Sequence, residues 1–175
     1  MTTAAQSHEQ EDLRGLVNRL AGVVSSAGYP AGDRAALKRY TPGGPLPLAF
    51  YRLWLIHLGR DLPADIIGWA TIAFGLAHMG PEAHQPGLPL GRVLAEAGYS
   101  ETRLEKLLAS RDDVRVKLFA NLVRFLGAKG MGFDWTEAAQ LLLIRDEGKR
   151  EDFHRRLAKD YFHALSKKSS DAKEE

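Results

Sequence analysis

The sequence predicts an all-α fold of about nine helices without a sheet. Apolar residues recur at every third or fourth position through most of the chain, which is the spacing that places them on one face of a helix. Runs of alternating β-branched residues, which are typical of strands, do not occur. Glycines, prolines and helix-capping residues separate the periodic segments, so the chain is expected to form many short helices.

Four helices are predicted in the first half of the chain. The first covers residues 9–25, where five apolar side chains share one face. Asp33 is expected to cap a short second helix, which a loop rich in proline and glycine follows. The third helix covers residues 48–58. Asp61 is expected to cap the fourth, because Pro63 suits the first turn of a helix.

Five more helices are predicted in the second half, and local signals mark their ends. The predicted starts are Pro89, Glu101, Asp112, Asp134 and Lys149. Gly98 stops the fifth helix, and Ser100 caps the sixth. Asp134 and Glu137 are spaced as in a capping box at the head of the eighth.

The longest predicted loop, residues 81–88, suggests a boundary between two lobes. Residues 1–80 are expected to form an N-terminal helical lobe, and residues 89–168 a C-terminal one, each resembling a small bundle. Residues 169–175 carry almost no apolar content and are predicted to form a disordered tail.

Composition narrows the class of protein. There is no cysteine, which excludes a disulfide framework, a thiol nucleophile and cysteine-ligated zinc, and which fits a reducing cytoplasm. The polar N-terminus does not resemble a signal peptide. The longest uncharged stretch, residues 66–81, has 16 residues, whereas a membrane span needs roughly 20. We therefore expect a cytoplasmic protein without a membrane partner, in which this stretch is a buried helix.

The sequence shows no catalytic arrangement, and we expect neither an enzyme nor a cofactor, metal site or small-molecule substrate. There is no glycine-rich loop between a strand and a helix, and the six histidines form no helical pair with a carboxylate between them. The acidic pair at Asp112 and Asp113 is explained by the start of a helix, where the helix dipole favours negative charge.

Basic residues are concentrated in the second half of the chain. Residues 1–100 hold 8 basic and 8 acidic side chains, whereas residues 103–168 hold 15 basic and 10 acidic ones. A local basic excess suits a polyanionic partner, although a solvated helix surface gives the same pattern.

Two predicted helices carry basic stripes. The seventh is apolar around most of its circumference, and its remaining stripe holds Lys117, Asn121 and Arg124. The ninth has an apolar face and an opposite face with Arg155, Arg156 and Lys159. Both stripes are spaced to follow a phosphate backbone. Aromatic residues at 40, 51 and 54 are either core residues or platforms for stacked bases.

The order of short motifs resembles the CasB family, the small subunit of the type I-E CRISPR Cascade complex, over residues 33–162. The motifs are ALKR (36–39), LAFYRL (48–53), LGRVLA (90–95), SETRL (100–104), LL (107–108), Arg111, LVRFL (122–126), FDW (133–135), LL (141–142), GKRE (148–151) and KDYF (159–162). No single motif is specific to the family, but their order and spacing together are.

This resemblance implies a non-catalytic helical subunit that lies beside the guide and target strands and holds the displaced non-target strand. Its implied partners are the backbone and large subunits of Cascade, a second copy of itself, the CRISPR RNA and both DNA strands. The nucleic-acid-binding residues expected from the resemblance and the stripes are Lys38, Arg39, Arg52, Arg103, Arg111, Lys117, Arg124, Lys149, Arg150, Arg155, Arg156 and Lys159. One basic position of the family falls near Ala64, so the resemblance does not carry that strand contact over to this chain.

Two other functions remain open from the sequence. A helical adaptor that binds only protein would carry the same stripes as solvated faces. A helical regulator that binds a small molecule is the third possibility, although the sequence shows no recognition helix or pocket signature for it.

Overall fold

A computed structural model describes residues 2–174, and the side chains of residues 12–173 within them. Over this part of the chain nine α-helices and no strand are present, which confirms the predicted fold class. The helices are α1 (Thr2–Ser25), α2 (Ala31–Arg39), α3 (Leu48–Arg52), α4 (Ile66–Met79), α5 (Leu90–Ala97), α6 (Glu101–Ala109), α7 (Asp112–Ala128), α8 (Trp135–Leu143) and α9 (Glu147–Glu174). None of these helices is both long and apolar enough to cross a membrane.

The third predicted helix has an unexpected last turn. Helix α3 continues directly into a π-helical segment, Leu53–His57, in which the Leu58 N–H donates to the Leu53 carbonyl at 2.9 Å. The wider turn keeps Leu53 buried but leaves Ile56 70% exposed.

The predicted cap of α4 is wrong by four residues. The helix begins at Ile66, and the carboxylate of Asp65 accepts a hydrogen bond from the Gly68 N–H at 2.9 Å. Asp61 has a different role, because its backbone carbonyl accepts the indole N–H of buried Trp54 at 2.7 Å. This tertiary bond holds residues 58–65 outside the helix.

Helix α4 is the centre of the core, as its uncharged sequence predicts. It packs against α1, α2, α7 and α8. Trp135 at the start of α8 is fully buried, stacks on Phe133 with ring centroids 5.0 Å apart, and meets Phe119 of α7 edge-on. The ring lies directly against Gly75 of α4, where any side chain would collide with it.

Helices α5 and α9 make the most extensive contact between any two helices of the described chain. Gly91 permits it, because a Cβ atom there would collide with the Leu157 carbonyl of α9. The Tyr161 hydroxyl of α9 donates to the Tyr99 carbonyl just after α5, at 2.5 Å. The LGRVLA and KDYF motifs therefore meet in space.

The loop of residues 81–88 is fastened to the segment that precedes α8. The backbones of His84 and Phe133 form an isolated bridge, and the His84 Nδ1 accepts the Trp135 N–H at 3.1 Å. Asp134 caps α8 as predicted, by accepting the Thr136 N–H at 2.9 Å. Glu137 does not complete a capping box, because its carboxylate accepts the Leu90 N–H of α5 instead.

The division into lobes 1–80 and 89–168 stays a prediction. The buried apolar side chains of both parts belong to one cluster. Helix α9 runs to Glu174 and so includes residues 169–174, where the sequence predicts a tail. The hydroxyls of Ser169 and Ser170 each donate to the carbonyl four residues earlier in this last part of the helix.

Candidate nucleic-acid interface

Helix α7 presents a row of polar side chains from the middle of the core. Its residues Phe119, Leu122 and Leu126 are fully buried, while Lys117, Asn121 and Arg124 are exposed. The Arg124 guanidinium donates to the Asn121 side-chain oxygen at 3.3 Å and lies 5.4 Å from the centre of the Phe74 ring. We call Lys117, Asn121 and Arg124 the α7 row.

His78 of α4 lies beside the α7 row. Its ring packs on Phe74 with ring centroids 5.6 Å apart, and the Arg124 guanidinium lies over the same Phe74 ring. Burial lowers the pKa of the His78 imidazole below its usual value, and the positive charges of Arg124 and Lys38 lower it further. Lys38 and Arg124 were both predicted from the sequence, and both are exposed.

A second basic site surrounds Phe125. Arg103 of α6 lies 5.9 Å from the centre of this ring, and the Lys129 ammonium lies 5.3 Å from it. Phe125 is half-buried, and Tyr99 lies beside it with ring centroids 5.4 Å apart. Lys129 was not predicted as a binding residue, because it follows the predicted stripe in the sequence. It shares the Phe125 ring with Arg103 only because α6 packs on α7.

The first turn of α9 provides a carboxylate that pairs with two predicted basic residues. Arg111, which directly precedes α7, donates to both oxygens of Glu147, at 2.8 and 3.3 Å, and this pairing holds the pKa of Glu147 below its usual range. Arg150 shares the same carboxylate at 3.2 Å. The Arg150 side chain is only 12% exposed, so it is not an open surface residue. Lys149 is exposed, and its backbone N–H donates to Asp146.

Arg52 is also paired, because both oxygens of Asp33 accept from its guanidinium at 2.6 and 3.1 Å. This pairing lowers the pKa of Asp33. The predicted cap of α2 is thus an ion-pair partner inside the helix, since α2 begins at Ala31 and Asp33 caps nothing.

The three predicted residues farther along α9 differ from one another. Arg155 lies within 3.7 Å of Glu151 and 3.5 Å of Asp152. Arg156 donates to the Gln140 side chain of α8 at 3.0 Å and lies over the Phe153 ring, so it faces α8. Lys159 is exposed.

Eleven of the twelve predicted residues fall into two groups, and Lys149 is assigned to neither. Arg52, Arg111, Arg150 and Arg155 form ion pairs. Among the residues whose side chains are described, those without an ion pair are Lys38, Arg39, Arg103, Lys117, Arg124, Arg156 and Lys159. The second group supplies positive charge that no described carboxylate neutralises.

Base stacking on the first aromatic cluster is largely ruled out by burial. Trp54 is 2% exposed and stacks on Phe50, and Tyr40 is 5% exposed, so both are core residues. Tyr51 is half-buried.

One buried arginine was not predicted from the sequence. Arg115 of α7 is 5% exposed and donates to the backbone carbonyls of Ser110 and Leu141. Its position within an apolar helical run could have indicated burial. A charged side chain that is buried there needs hydrogen-bond partners inside the protein.

The comparison with known proteins adds the family. No curated protein is similar enough to the chain to count as a match. The family described as CRISPR-associated protein Cse2 matches residues 33–162, which are 130 of the 175 residues. Cse2 and CasB denote the same type I-E small subunit. The match covers α3 to α8 entirely, together with the parts of α2 and α9 that carry the predicted binding residues. The chain thus belongs to the Cse2 family, the non-catalytic small subunits of the multisubunit CRISPR Cascade complex.

Proposed function

We propose that this subunit stabilises the guide–target heteroduplex and holds the displaced non-target DNA strand through its exposed, unpaired basic residues. The observation that carries the proposal is the α7 row itself, in which Lys117, Asn121 and Arg124 are exposed on a helix whose other faces are buried. Neither Lys117 nor Arg124 forms an ion pair with a described carboxylate.

Unpaired cations suit a phosphate backbone better than paired ones. Each Lys or Arg that neutralises a phosphate releases condensed counterions, which supplies binding free energy without reading sequence. An arginine already bound to a carboxylate must first leave it, so Arg52 and Arg111 gain less from a phosphate. The proposal therefore ranks the α7 row and Lys38 above those two residues.

The rigidity of the α7 row also supports this role. Its side chains project from a helix whose other faces are buried in the core. Contacts to a nucleic-acid backbone position a strand without specifying its sequence, and donors on a helix packed into the core start from backbone positions at a fixed spacing. A site of this kind fits a displaced strand whose sequence changes with every target.

The energetic role follows from how Cascade opens DNA. Replacing a DNA duplex by a guide–target heteroduplex is nearly balanced in free energy, so protein contacts to the backbone decide the outcome. A groove or row of cations that holds the freed strand shifts this balance towards the open state.

The test is a titration of target DNA with purified Cascade that carries Lys117→Glu and Arg124→Glu. A matched control carries Lys106→Glu and Lys168→Glu, which change the net charge equally at exposed positions outside the predicted site. We expect the first variant to bind target DNA more weakly at every salt concentration, and its dependence of log affinity on log salt to become shallower by about one unit per lost phosphate contact. Equal behaviour of the two variants would contradict the proposal.

The alternative function, an adaptor that binds only protein, is favoured by a different surface. Large apolar side chains are exposed between residues 48 and 67. They are Leu48, Leu55, Ile56, Leu62 and Ile67, with exposed fractions of 41–71%. If the adaptor alternative is right, charge reversal in the α7 row leaves target affinity unchanged, whereas Ile56→Glu lowers the amount of subunit retained in the complex.

A further inference from the structure

A groove of about 790 Å³ runs between α6 and α9, away from the α7 row. Its apolar lining includes Leu104, Leu108 and Phe162, and the Phe162 ring is 50% exposed. Large aromatic side chains that remain half-exposed beside a concave apolar surface are typical anchors of protein contacts.

One end of the groove is lined by buried basic groups. Arg115 is 5% exposed, and Arg150 and His154 come from the first turns of α9. The Nε atoms of both arginines and the Nε2 atom of His154 are buried and make no hydrogen bond within the described part of the chain. Buried polar atoms are nearly always paired in proteins, so three such atoms on residues that line one groove leave hydrogen-bonding capacity unused there.

The local charge shows what kind of group this end accepts. Burial lowers the pKa of the Arg115 guanidinium, and the positive charges of Arg150, Arg111 and Arg145 lower it further. Glu147 is the carboxylate that Arg111 and Arg150 share. A carboxylate or other anion is therefore the complementary group at this end.

The groove lining also carries negative charge. Glu101, Glu105, Glu147 and Glu151 all line it. A nucleic-acid strand would bring a negative charge at every nucleotide past these carboxylates, and the resulting repulsion disfavours it. A peptide needs only one acidic side chain at the arginine end, and it can place apolar or basic residues along the remainder.

We propose that the α6–α9 groove binds a peptide segment of another Cascade subunit. In this complex an apolar side chain packs on Leu108 and Phe162, and an adjacent carboxylate reaches Arg115 and Arg150. The inference rests on the membership of the chain in a multisubunit complex but not on strand binding, so either proposal can fail without the other.

The first experiment replaces Phe162 by the photo-crosslinker p-benzoylphenylalanine in purified, fully assembled Cascade. Illumination is expected to join this position to one peptide of a different subunit, which mass spectrometry will show to contain Asp or Glu next to an apolar residue. A cross-link to RNA or DNA, to a second copy of this chain, or to no polymer at all would overturn the inference.

A matched pair of variants measures how much the groove contributes to incorporation of the subunit into the complex. Phe162→Glu puts a carboxylate into the groove, whereas Val114→Glu makes the same change at a 58% exposed position that does not line it. We expect Phe162→Glu to weaken incorporation into the complex by about tenfold or more, as for a hot-spot residue, and Val114→Glu to leave it unchanged. Equal incorporation of both variants would overturn the proposal. If Phe162→Glu does not fold, the cross-linking result, obtained with an aromatic residue in place, decides alone.

In both experiments the affinity of the assembled complex for target DNA serves as the readout of strand binding. The groove proposal predicts that the salt dependence of target binding is the same in complexes that contain Phe162→Glu and in the parent complex. The test of strand holding by the α7 row is therefore independent of the two experiments on the groove.

Discussion

The α7 row and the start of α9 are both rich in basic residues, but their surroundings differ. At the α7 row, Lys117 and Arg124 project from a buried helix into solvent, and no described carboxylate pairs with them. At the start of α9, Arg111 and Arg150 converge on Glu147. The same residue types thus make an open cationic surface in one region and a cluster of internal ion pairs in the other. Charge counts along a sequence cannot distinguish the two, because they do not show which carboxylate lies opposite each cation.

The largest loss of stability is expected when Trp135 is replaced, because this core residue packs on the helix that links both regions. Trp135 packs on Phe119 of α7, which carries the α7 row as well as Arg115. Trp135→Ala should lower the free energy of unfolding by about 3–5 kcal/mol, as for other large buried aromatic side chains. Phe162→Ala is the control, since this ring is half-exposed. Urea denaturation measures both, and equal midpoints would mean that Trp135 contributes little to the core.

The second prediction concerns the contribution of Arg150, at the start of α9, to stability. Arg150→Glu removes hydrogen bonds to Glu147 and to the Ile144 carbonyl and places two carboxylates side by side. Because the side chain is largely buried, we expect a loss of about 1–3 kcal/mol. A thermal melt equal to that of the parent protein would show that Arg150 is an open surface residue after all.

Each region also contains a histidine that should make stability depend on pH. Burial lowers the pKa of both His78 and His154, and neighbouring arginines lower it further. In the unfolded chain these groups titrate near pH 6.5. Their contribution is complete above that value and is lost as the pH falls, because the unfolded state then binds protons that the folded state does not, at up to about 1.4 kcal/mol per pH unit and histidine.

Urea denaturation at pH 7.5 and pH 5.5 measures this effect. We expect the loss of stability at the lower pH to be smaller in His78→Gln and in His154→Gln than in the parent protein. The same pH dependence in all three proteins would show that these imidazoles titrate normally.

The smallest effect on stability is expected at the α7 row itself. Lys117→Glu changes an exposed side chain that forms no ion pair with a described carboxylate, so the free energy of unfolding should change by about 0.5 kcal/mol or less. Circular dichroism and urea denaturation check this. A large loss would mean that Lys117 has a structural role and does not belong to an open surface.

Local signals in the sequence were sufficient for the helices of the second half. Gly98, in a left-handed conformation at φ 78°, ends α5, and Ser100 caps α6 as predicted. Both signals act within a few residues of the chain, which is why they can be read without a structure. The family resemblance over residues 33–162 was likewise recognisable, because it depends on the order of local motifs.

The features that the sequence did not predict depend on tertiary contacts. Asp61 has the residue type of a helix cap, but its carbonyl binds Trp54 and α4 starts later. Glu137 has capping-box spacing, but its carboxylate reaches α5. In the candidate site, the pairing of Arg111 with Glu147 joins distant parts of the chain. A single sequence carries no local mark of such pairs.

The central claim is that unpaired cations, and not paired ones, hold the nucleic acid. The most direct test compares Cascade carrying Lys117→Gln and Arg124→Gln with Cascade carrying Arg111→Gln and Arg155→Gln, two exposed but paired arginines. Each double variant removes the same charge, and the salt dependence of target-DNA affinity is measured for both. The account predicts that the slope of log affinity against log salt becomes shallower by about one to two units in the first complex and stays close to the parent value in the second. A slope that falls equally in both complexes, or only in the second, would contradict it.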